Sequence, residues 1–384
     1  MKAAVNSVRI FVGVLFIISG LVKANDPLGL SYKMQEFFEV WNASLSASGF
    51  FAKNFLISTF SYLHQHSLAL SVIMIGLEVL AGVALIIGWR KRFILNLLLL
   101  LILFFTFLTA YAYWSGKFKN CGCFGDCLPI TPLTSFLKDI LLLILIVFLV
   151  IQQRYIQPLF SKRVVNVLLL ASLFAITFLQ WYVLNYLPLV DCLPYKKGNN
   201  IVEQMKIPAN AVQDSFAMKF IYTREGKQYE FSVEELPADL ENYTFVDRQQ
   251  KLVRKGNAEP PIKGFTLTGV SGTDSTQAIL STPKVLMVLF EDFSNVSNQW
   301  LTDFKSAQEA ARQKGIPTYV VTPKPSEALS VLGKSGLQEV SVFSADNTAV
   351  KTAARTNPTI FLLEKGTIVA KKSYRDIEDF ISLF

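Results

Sequence analysis

The chain is poor in charge, histidine and cysteine, and each shortage narrows what it can be. Charged residues occupy 17% of its 384 positions and hydrophobic ones 52%, with a mean hydropathy of +0.38. That balance is too apolar for an ordinary soluble protein of this length. Histidine occurs twice, at His64 and His66. A redox or metal role there competes with a solvated loop, which suits them better. Cysteine occurs four times, and none follows Cys192, so nothing beyond that point can run thiol–disulfide exchange by itself. No internal repeat, low-complexity tract or lipidation motif is evident. No small-x-small cleavage site follows the first apolar stretch, so residues 1–25 read as a retained signal anchor and not a cleaved leader.

What is present is hydrocarbon, concentrated in the first half. Five runs, at 8–22, 68–89, 93–113, 132–151 and 164–187, approach or reach the roughly 20 helical residues that cross a bilayer. Lys2 and Arg9 precede or enter the first run, Arg90-Lys91-Arg92 joins the second to the third, and Arg154, Lys162 and Arg163 join the fourth to the fifth. Lysine and arginine mark cytoplasmic loops, so the N-terminus is expected in the cytoplasm. Residues 25–67, the loop 114–131 and everything after 187 are then expected on the opposite, oxidising side. The net charge of +8 is largely this topological lysine and arginine and calls for no nucleic-acid partner. Residues 30–41 and 51–66 mix Phe, Leu, Tyr and Trp with polar residues, as helices lying on the outer leaflet would.

Three of the four cysteines crowd into Cys121-Gly122-Cys123-Phe124-Gly125-Asp126-Cys127, between two apolar runs. Three cysteines packed around two glycines in a polar loop cannot all be core filler. A Cys-x-Cys pair held by glycine can close a small, easily reduced disulfide. Thr131 and Pro132 look like the N-cap and first residue of the fourth span, which aims a helix N-terminus at the loop and favours a thiolate there. Lys138, two turns in, would add positive potential, and Asp139 should point elsewhere or pair with another helix. Charge inside a span is costly, so Glu78 is a functional candidate, at a depth that suits a pair with Lys138 or Arg9. A structural ion pair is the alternative. Four cysteines allow three full pairings. A tetrahedral zinc site is the rival reading of the cluster, opposed by its spacing, its membrane edge and an oxidising compartment. No metal is expected.

After Cys192 the character becomes that of a soluble α/β region. Residues 218–233 alternate around Glu225-Gly226, a hairpin signal, and short strands and turns are expected over 234–256. Glu259-Pro260-Pro261 reads as a linker. Beyond it come strands at 285–291, 318–321, 359–363 and 367–371, helices at 296–313 and 326–332, and a short helix from Asp376. This order, with Asn357-Pro358-Thr359 ahead of a Thr-Ile-Phe-Leu-Leu strand and a Lys365-Gly366 hairpin, resembles the thioredoxin fold in its TlpA-like and peroxiredoxin-like branch. The resemblance covers about 259–384 and implies a cis proline at Pro358. The family's Cys-x-x-Cys position holds Ser294-Asn295-Val296-Ser297, so Ser294 and Ser297 stand where cysteines belong. The unit is expected to be a degenerate domain that binds, docks or shields.

The membrane half resembles the DoxX and MauE families. Arg9 and Ser19-Gly20-Leu21-Val22-Lys23 look like the DoxX opening, and Glu78 with Gly82, Gly88 and Arg90 has the matching form. Cys121-Gly122-Cys123-Phe124-Gly125, followed by Thr131-Pro132, Phe136, Lys138 and Asp139, is similar to the MauE pattern. The resemblance covers roughly 5–155. It implies a bacterial inner-membrane bundle tied to disulfide formation, as in methylamine utilisation, and similar to quinone-linked oxidases of the DsbB and vitamin K epoxide reductase kind. A quinone is thus an implied cofactor that no motif here specifies. In that pattern Cys121 and Cys123 are the motif. Cys127 and Cys192 look like additions, and are expected to pair with each other, either as a static link or in a relay.

The expected architecture is a DoxX/MauE-like helical membrane domain over 1–155, and a fifth span with its connector over 156–190. A small β-rich segment over 191–258 and a thioredoxin-like domain over 259–384 complete it. Expected partners are membrane lipid and a periplasmic thiol or disulfide protein. Two functions follow: a membrane thiol–disulfide oxidoreductase using Cys121 and Cys123, or a non-catalytic scaffold whose cysteine-free domain binds a periplasmic partner.

Overall fold

A computed structural model describes residues 1–118, 127, 130–213, 215–233, 235–237, 239–254, 256, 258–294 and 296–384. Five long apolar helices, α1 (Lys2–Ala24), α4 (Ser67–Ile87), α5 (Lys91–Ser115), α6 (Pro132–Ile151) and α7 (Lys162–Tyr186), have the length and composition to cross a membrane. Between the first two lie α2 (Pro27–Ser46) and α3 (Lys53–Gln65). The first span starts well before residue 8 because Arg9 is not a boundary charge. It is buried at 2% exposure and donates to the carbonyls of Ile86, at the end of α4, and, at 3.0 Å, of Gln157, in the connector between α6 and α7. This removes Arg9 as one of the two partners the sequence allowed for Glu78. Gly88 ends α4 at φ +76°, and a side chain there would strike the backbone of Gln157.

Helices α1 and α4 cross closely because glycines face each other. A Cβ on Gly82 would lie 2.7 Å from the carbonyl of Gly13, and one on Gly20 would lie 2.5 Å from Val79. Small residues let backbones approach where lipid offers no hydrophobic drive between helices. Around this contact Val12, Phe16, Leu85, Leu98 and Ile146 form the bundle core. The outer helices differ from each other: α2 buries Phe37 and Phe38 against the bundle, whereas α3 buries nothing.

A three-stranded antiparallel sheet follows, with β1 (Ser215–Arg224) between β2 (Lys227–Ser232) and β3 (Thr244–Arg254). Glu225 and Gly226, both at positive φ, make the two-residue turn of the expected hairpin. The expected run of short strands is instead one long β3, since its pairing with the whole of β1 outweighs its polar residues. One face carries Phe220, Tyr222, Tyr229, Phe231 and Phe245, stacked across the strands.

The C-terminal unit contains β4 (Thr268–Gly269), α9 (Thr276–Ser281), β5 (Val285–Leu289), α10 (Asn298–Gln313), β6 (Thr318–Thr322), α11 (Pro325–Lys334), β7 (Ser341–Ser344), α12 (Asn347–Ala353), β8 (Thr359–Glu364), β9 (Thr367–Ser373) and α13 (Ile377–Ile381). Its strand order is β4-β7-β6-β5-β8-β9, with β5, β6 and β7 parallel and β8 and β9 antiparallel to their neighbours. This is a thioredoxin-like arrangement, and Asn357–Pro358 is a cis peptide leading into β8. Strand β5 is apolar throughout because both sheet faces are covered. Leu286 and Val288 face Phe304 and Phe380 on one side, and Met287 and Leu289 face Phe265 and Phe361 on the other.

The unit reaches further back than residue 259. Tyr195 and Ile201, the latter opening the short α8 (Ile201–Gln204), lie in the second of these cores. Gly198 and Asn199 exchange backbone hydrogen bonds with Ile368 at 2.8 and 2.9 Å. The expected β-rich segment over 191–258 therefore divides, its first part belonging to the thioredoxin-like unit and its second forming the separate sheet.

Replacing Gly82 by Leu should push α1 and α4 apart and destabilise the bundle by about 1–3 kcal/mol, the usual overpacking range. Resistance to unfolding in mixed detergent micelles would measure this, and unchanged resistance would refute the close-packing account.

Candidate functional site

Two groups of residues that chemistry can use meet at one end of the bundle, where α1 gives way to α2. The turn is Asn25-Asp26-Pro27. Pro27 opens α2 with its preset φ, and the Asp26 carboxylate caps the helix by accepting from Gly29 N at 3.0 Å. The same carboxylate pairs with Arg355, 2.8 Å away beyond α12. Arg355 is buried at 3% exposure and Asp26 nearly so at 12%, so the pair is largely desolvated and losing Asp26 would strand the Arg355 charge. Asn25 clamps the chain after α7, donating to Val190 O at 2.8 Å and accepting from Val190 N at 3.0 Å.

Cys127 and Cys192 form a disulfide beside this clamp. The Asn25 amide lies 3.9 Å from Cys127 Sγ, and both cysteines are half-buried. Next to Cys192, Asp191 accepts from Lys371 of β9 at 2.7 Å. Burial lowers the Lys371 ammonium below its ordinary range, against the opposing pull of Asp191. Cys121 and Cys123 lie outside the described residues.

The second group lies inside the bundle. Glu78 of α4 pairs with Lys23 of α1, both nitrogen–oxygen contacts falling at 2.6–2.8 Å, and Ser19 Oγ lies 3.1 Å from the same ammonium. The Phe105 ring faces that ammonium at 4.6 Å. Lys138 pairs with its neighbour Asp139 at 3.0 Å, and Asp139 also lies 3.0 Å from the Thr109 hydroxyl of α5. Glu78 therefore pairs with neither Lys138 nor Arg9. Lys23 is the partner the sequence reading missed, though its i, i+4 relation to Ser19 was a usable signal of one shared face. The pairing of Lys138 also changes its role: two neutral pairs stand here, so the positive potential expected of Lys138 is largely cancelled. The N-terminus of α6 remains, with Thr131 accepting from Thr134 N at 3.3 Å and Pro132 as its first residue.

Between the pairs is a cavity of about 20 Å³ lined by Ser19, Lys23, Glu78, Phe105, Lys138 and Asp139. That holds about one water and no quinone ring. An apolar cleft of about 470 Å³ lies between α4, α5 and α7, but Trp89 and Asn166 place it toward the Arg9 end of the bundle, opposite the disulfide. The small cavity between the ion pairs thus has no room for a quinone.

Expected thioredoxin-like positions also meet. Asn357, before cis Pro358, accepts from Glu291 N at 3.0 Å and donates to Asp292 O at 2.9 Å. Ser294 bonds the Asp292 carboxylate at 2.6 Å, and Ser297 caps α10 through Trp300 N at 3.2 Å. This face is turned to the bundle: the Tyr32 hydroxyl of α2 donates to Glu291 at 3.1 Å, and Lys351 lies 3.4 Å from the same carboxylate. Burial, reinforced by Glu291, holds the Tyr32 hydroxyl well above its ordinary pKa and keeps it a donor. Asn25, Asp26, Arg355 and Lys371 were not anticipated. Only the Asn-Asp-Pro cap signal after the first span was legible.

Comparison with known proteins divides the chain similarly. Residues 1–152 match the family described as methylamine utilisation protein MauE, and residues 216–255 match a domain of unknown function, DUF8463. Protein TlpB of Flavobacterium psychrophilum is 30% identical over 154 residues, 37% of this chain and 35% of that protein, so the match spans about a third of the relative's length. Among solved structures, a thiol:disulfide interchange protein from Bacteroides sp. is similar at 18% identity and TM-score 0.25, covering 31% of this chain and 86% of that one. The thioredoxin domain of a thiol-disulfide oxidoreductase from Bacteroides vulgatus is similar at 17% identity and TM-score 0.25, covering 30% and 91%. The chain is a multi-pass membrane protein with a MauE-type N-terminal region and a thioredoxin-like C-terminal unit.

Proposed function

We propose that this protein is a thiol–disulfide exchange component of a bacterial inner membrane, with its cysteine loop and thioredoxin-like unit in the periplasm. The observation that carries this reading is the convergence of the Cys127–Cys192 disulfide, the Asn25–Val190 clamp and the Asp26–Arg355 pair at one end of the bundle. The Lys and Arg residues of the short loops gather at the opposite end, which supports a cytoplasmic N-terminus.

Cys121 and Cys123 are the exchanging pair, and Cys127 is committed to Cys192. A thiolate of a periplasmic dithiol protein attacks one sulfur of the Cys121–Cys123 disulfide, forming a mixed disulfide and releasing the other sulfur as thiolate. The partner's second thiolate then attacks the mixed disulfide. The partner leaves oxidised, and Cys121 and Cys123 are left as a dithiol. The reverse exchange with a second, disulfide-bearing protein restores the pair, so electrons and protons balance between the two partners. The α6 N-terminus favours the released thiolate.

The thioredoxin-like unit serves as a fixed cover in this reading. Its cis-proline loop is tied to α2 through Tyr32–Glu291, and the exposed Ser294 and Ser297 offer no thiol for exchange.

In native membranes, Cys121 and Cys123 should become alkylatable after reductant and protected again after a disulfide donor. Cys123→Ser should accumulate a mixed disulfide through Cys121, and Ser at both positions should abolish exchange. If neither cysteine changes redox state under any poise, the reading fails.

The Lys23–Glu78 pair makes a second test. Glu78→Gln should cost about 3–5 kcal/mol of stability by stranding the buried ammonium. The double variant Lys23→Met, Glu78→Leu should recover most of that loss in a detergent unfolding assay. Recovered stability with lost exchange would assign the pair a part in the chemistry, and recovery of both would make it structural.

A further inference from the structure

Of the features that thiol exchange leaves unused, the apolar cleft between α4, α5 and α7 carries the most. Its walls include Leu77 and Ala84 of α4, Phe93 of α5, and Leu170 and Leu173 of α7, and it encloses about 470 Å³. Leu170 is 65% and Phe93 57% exposed, so the cleft opens sideways, toward the surface that lipid tails cover.

What sits at its mouth specifies an occupant. Lys162 and Arg163 lie one helical turn before Asn166, on the face of α7 that lines the cleft. Arg90 follows Trp89 of the wall, its guanidinium 5.3 Å from that ring. None of these three cations has a salt bridge among the described residues, and segments 88–92 and 152–163 contain no Asp or Glu. Asn166 adds an independent observation. Its side chain faces an apolar, lipid-level cleft, is exposed, and has no hydrogen-bond partner among the described residues. An amide left so in hydrocarbon is costly unless a ligand meets it.

The polarity is ordered with depth. Cations come first, an amide follows about 6 Å deeper, four residues along the helix, and aliphatic walls follow that. A glycerophospholipid has the same order: phosphate, ester carbonyl, acyl chain. We propose that this cleft binds one anionic phospholipid from the adjacent leaflet, its phosphate on Lys162, Arg163 and Arg90, an ester carbonyl on the Asn166 amide and one acyl chain in the groove. This proposal stands independently of the exchange reading.

Native mass spectrometry of the detergent-purified full chain, titrated with phosphatidylglycerol or with phosphatidylcholine of the same chains, tests it. The wild type should retain one phosphatidylglycerol in preference to phosphatidylcholine. The double variant Lys162→Gln, Arg163→Gln should bind phosphatidylglycerol roughly thirtyfold more weakly and lose that preference. Leu170→Trp, which fills the groove from an exposed position, should weaken both lipids. An intact Cys127–Cys192 disulfide and unaltered thermal unfolding would show that the variants fold. Equal retention by folded wild type and variants would overturn the proposal, as would an isoprenoid quinone co-purifying in the cleft and resisting displacement by phosphatidylglycerol.

Discussion

The Asp26–Arg355 ion pair joins the two halves of the molecule, and the surrounding geometry depends on it. A desolvated pair persists only where its remaining hydrogen bonds are satisfied. Here Asp26 also caps α2, and Arg355 also bonds carbonyls at the end of α12. Neither side chain can move without opening a helix end. Tyr32–Glu291, Lys371–Asp191 and Asn185–Arg375 then extend the contact along the same face. The thioredoxin-like unit is therefore held in one attitude toward the bundle, with its cis-proline loop directed at α2.

That attitude gives the missing cysteines a physical meaning. A thioredoxin-like face that exchanges disulfides needs a thiol at its exposed turn, whereas here the exposed residues are Ser294 and Ser297, with Tyr32 of α2 holding Glu291 beside them. These serines cap and brace the turn into α10 and present no thiol. Beyond Cys192 the α/β unit carries no thiol and contributes walls and charge. The bundle below adds little net charge, because Lys23 and Lys138 are each neutralised at close range.

Legibility followed the length scale of the interactions. The spans were readable because each is a long run of one property, and the fourth was placed at its observed bounds by its Thr-Pro start. The central core strands β5 and β8 were readable from Val-Leu-Met-Val-Leu and Thr-Ile-Phe-Leu-Leu. Strand β7 and helix α12, four and seven residues long, were not, since neither is long enough to show a period. Arg9 was misjudged for a different reason. A charge in a span advertises a need for partners, but not whether a carboxylate or a pair of backbone carbonyls will answer it.

The sequence alone determined that this is a membrane bundle followed by a thioredoxin-like unit, and that thiol chemistry is confined to the first half and Cys192. Those conclusions rest on composition, local period and the absence of a residue type, all properties of contiguous chain. Only the tertiary structure decided that Lys23 answers Glu78, that Asn25 and Asp26 clamp both halves, that residues 191–205 belong to the α/β core, and that a cationic mouth opens onto an apolar cleft. Each of these joins residues that are neighbours in space but distant in the chain, and which of several competent partners a buried charge meets is set by packing.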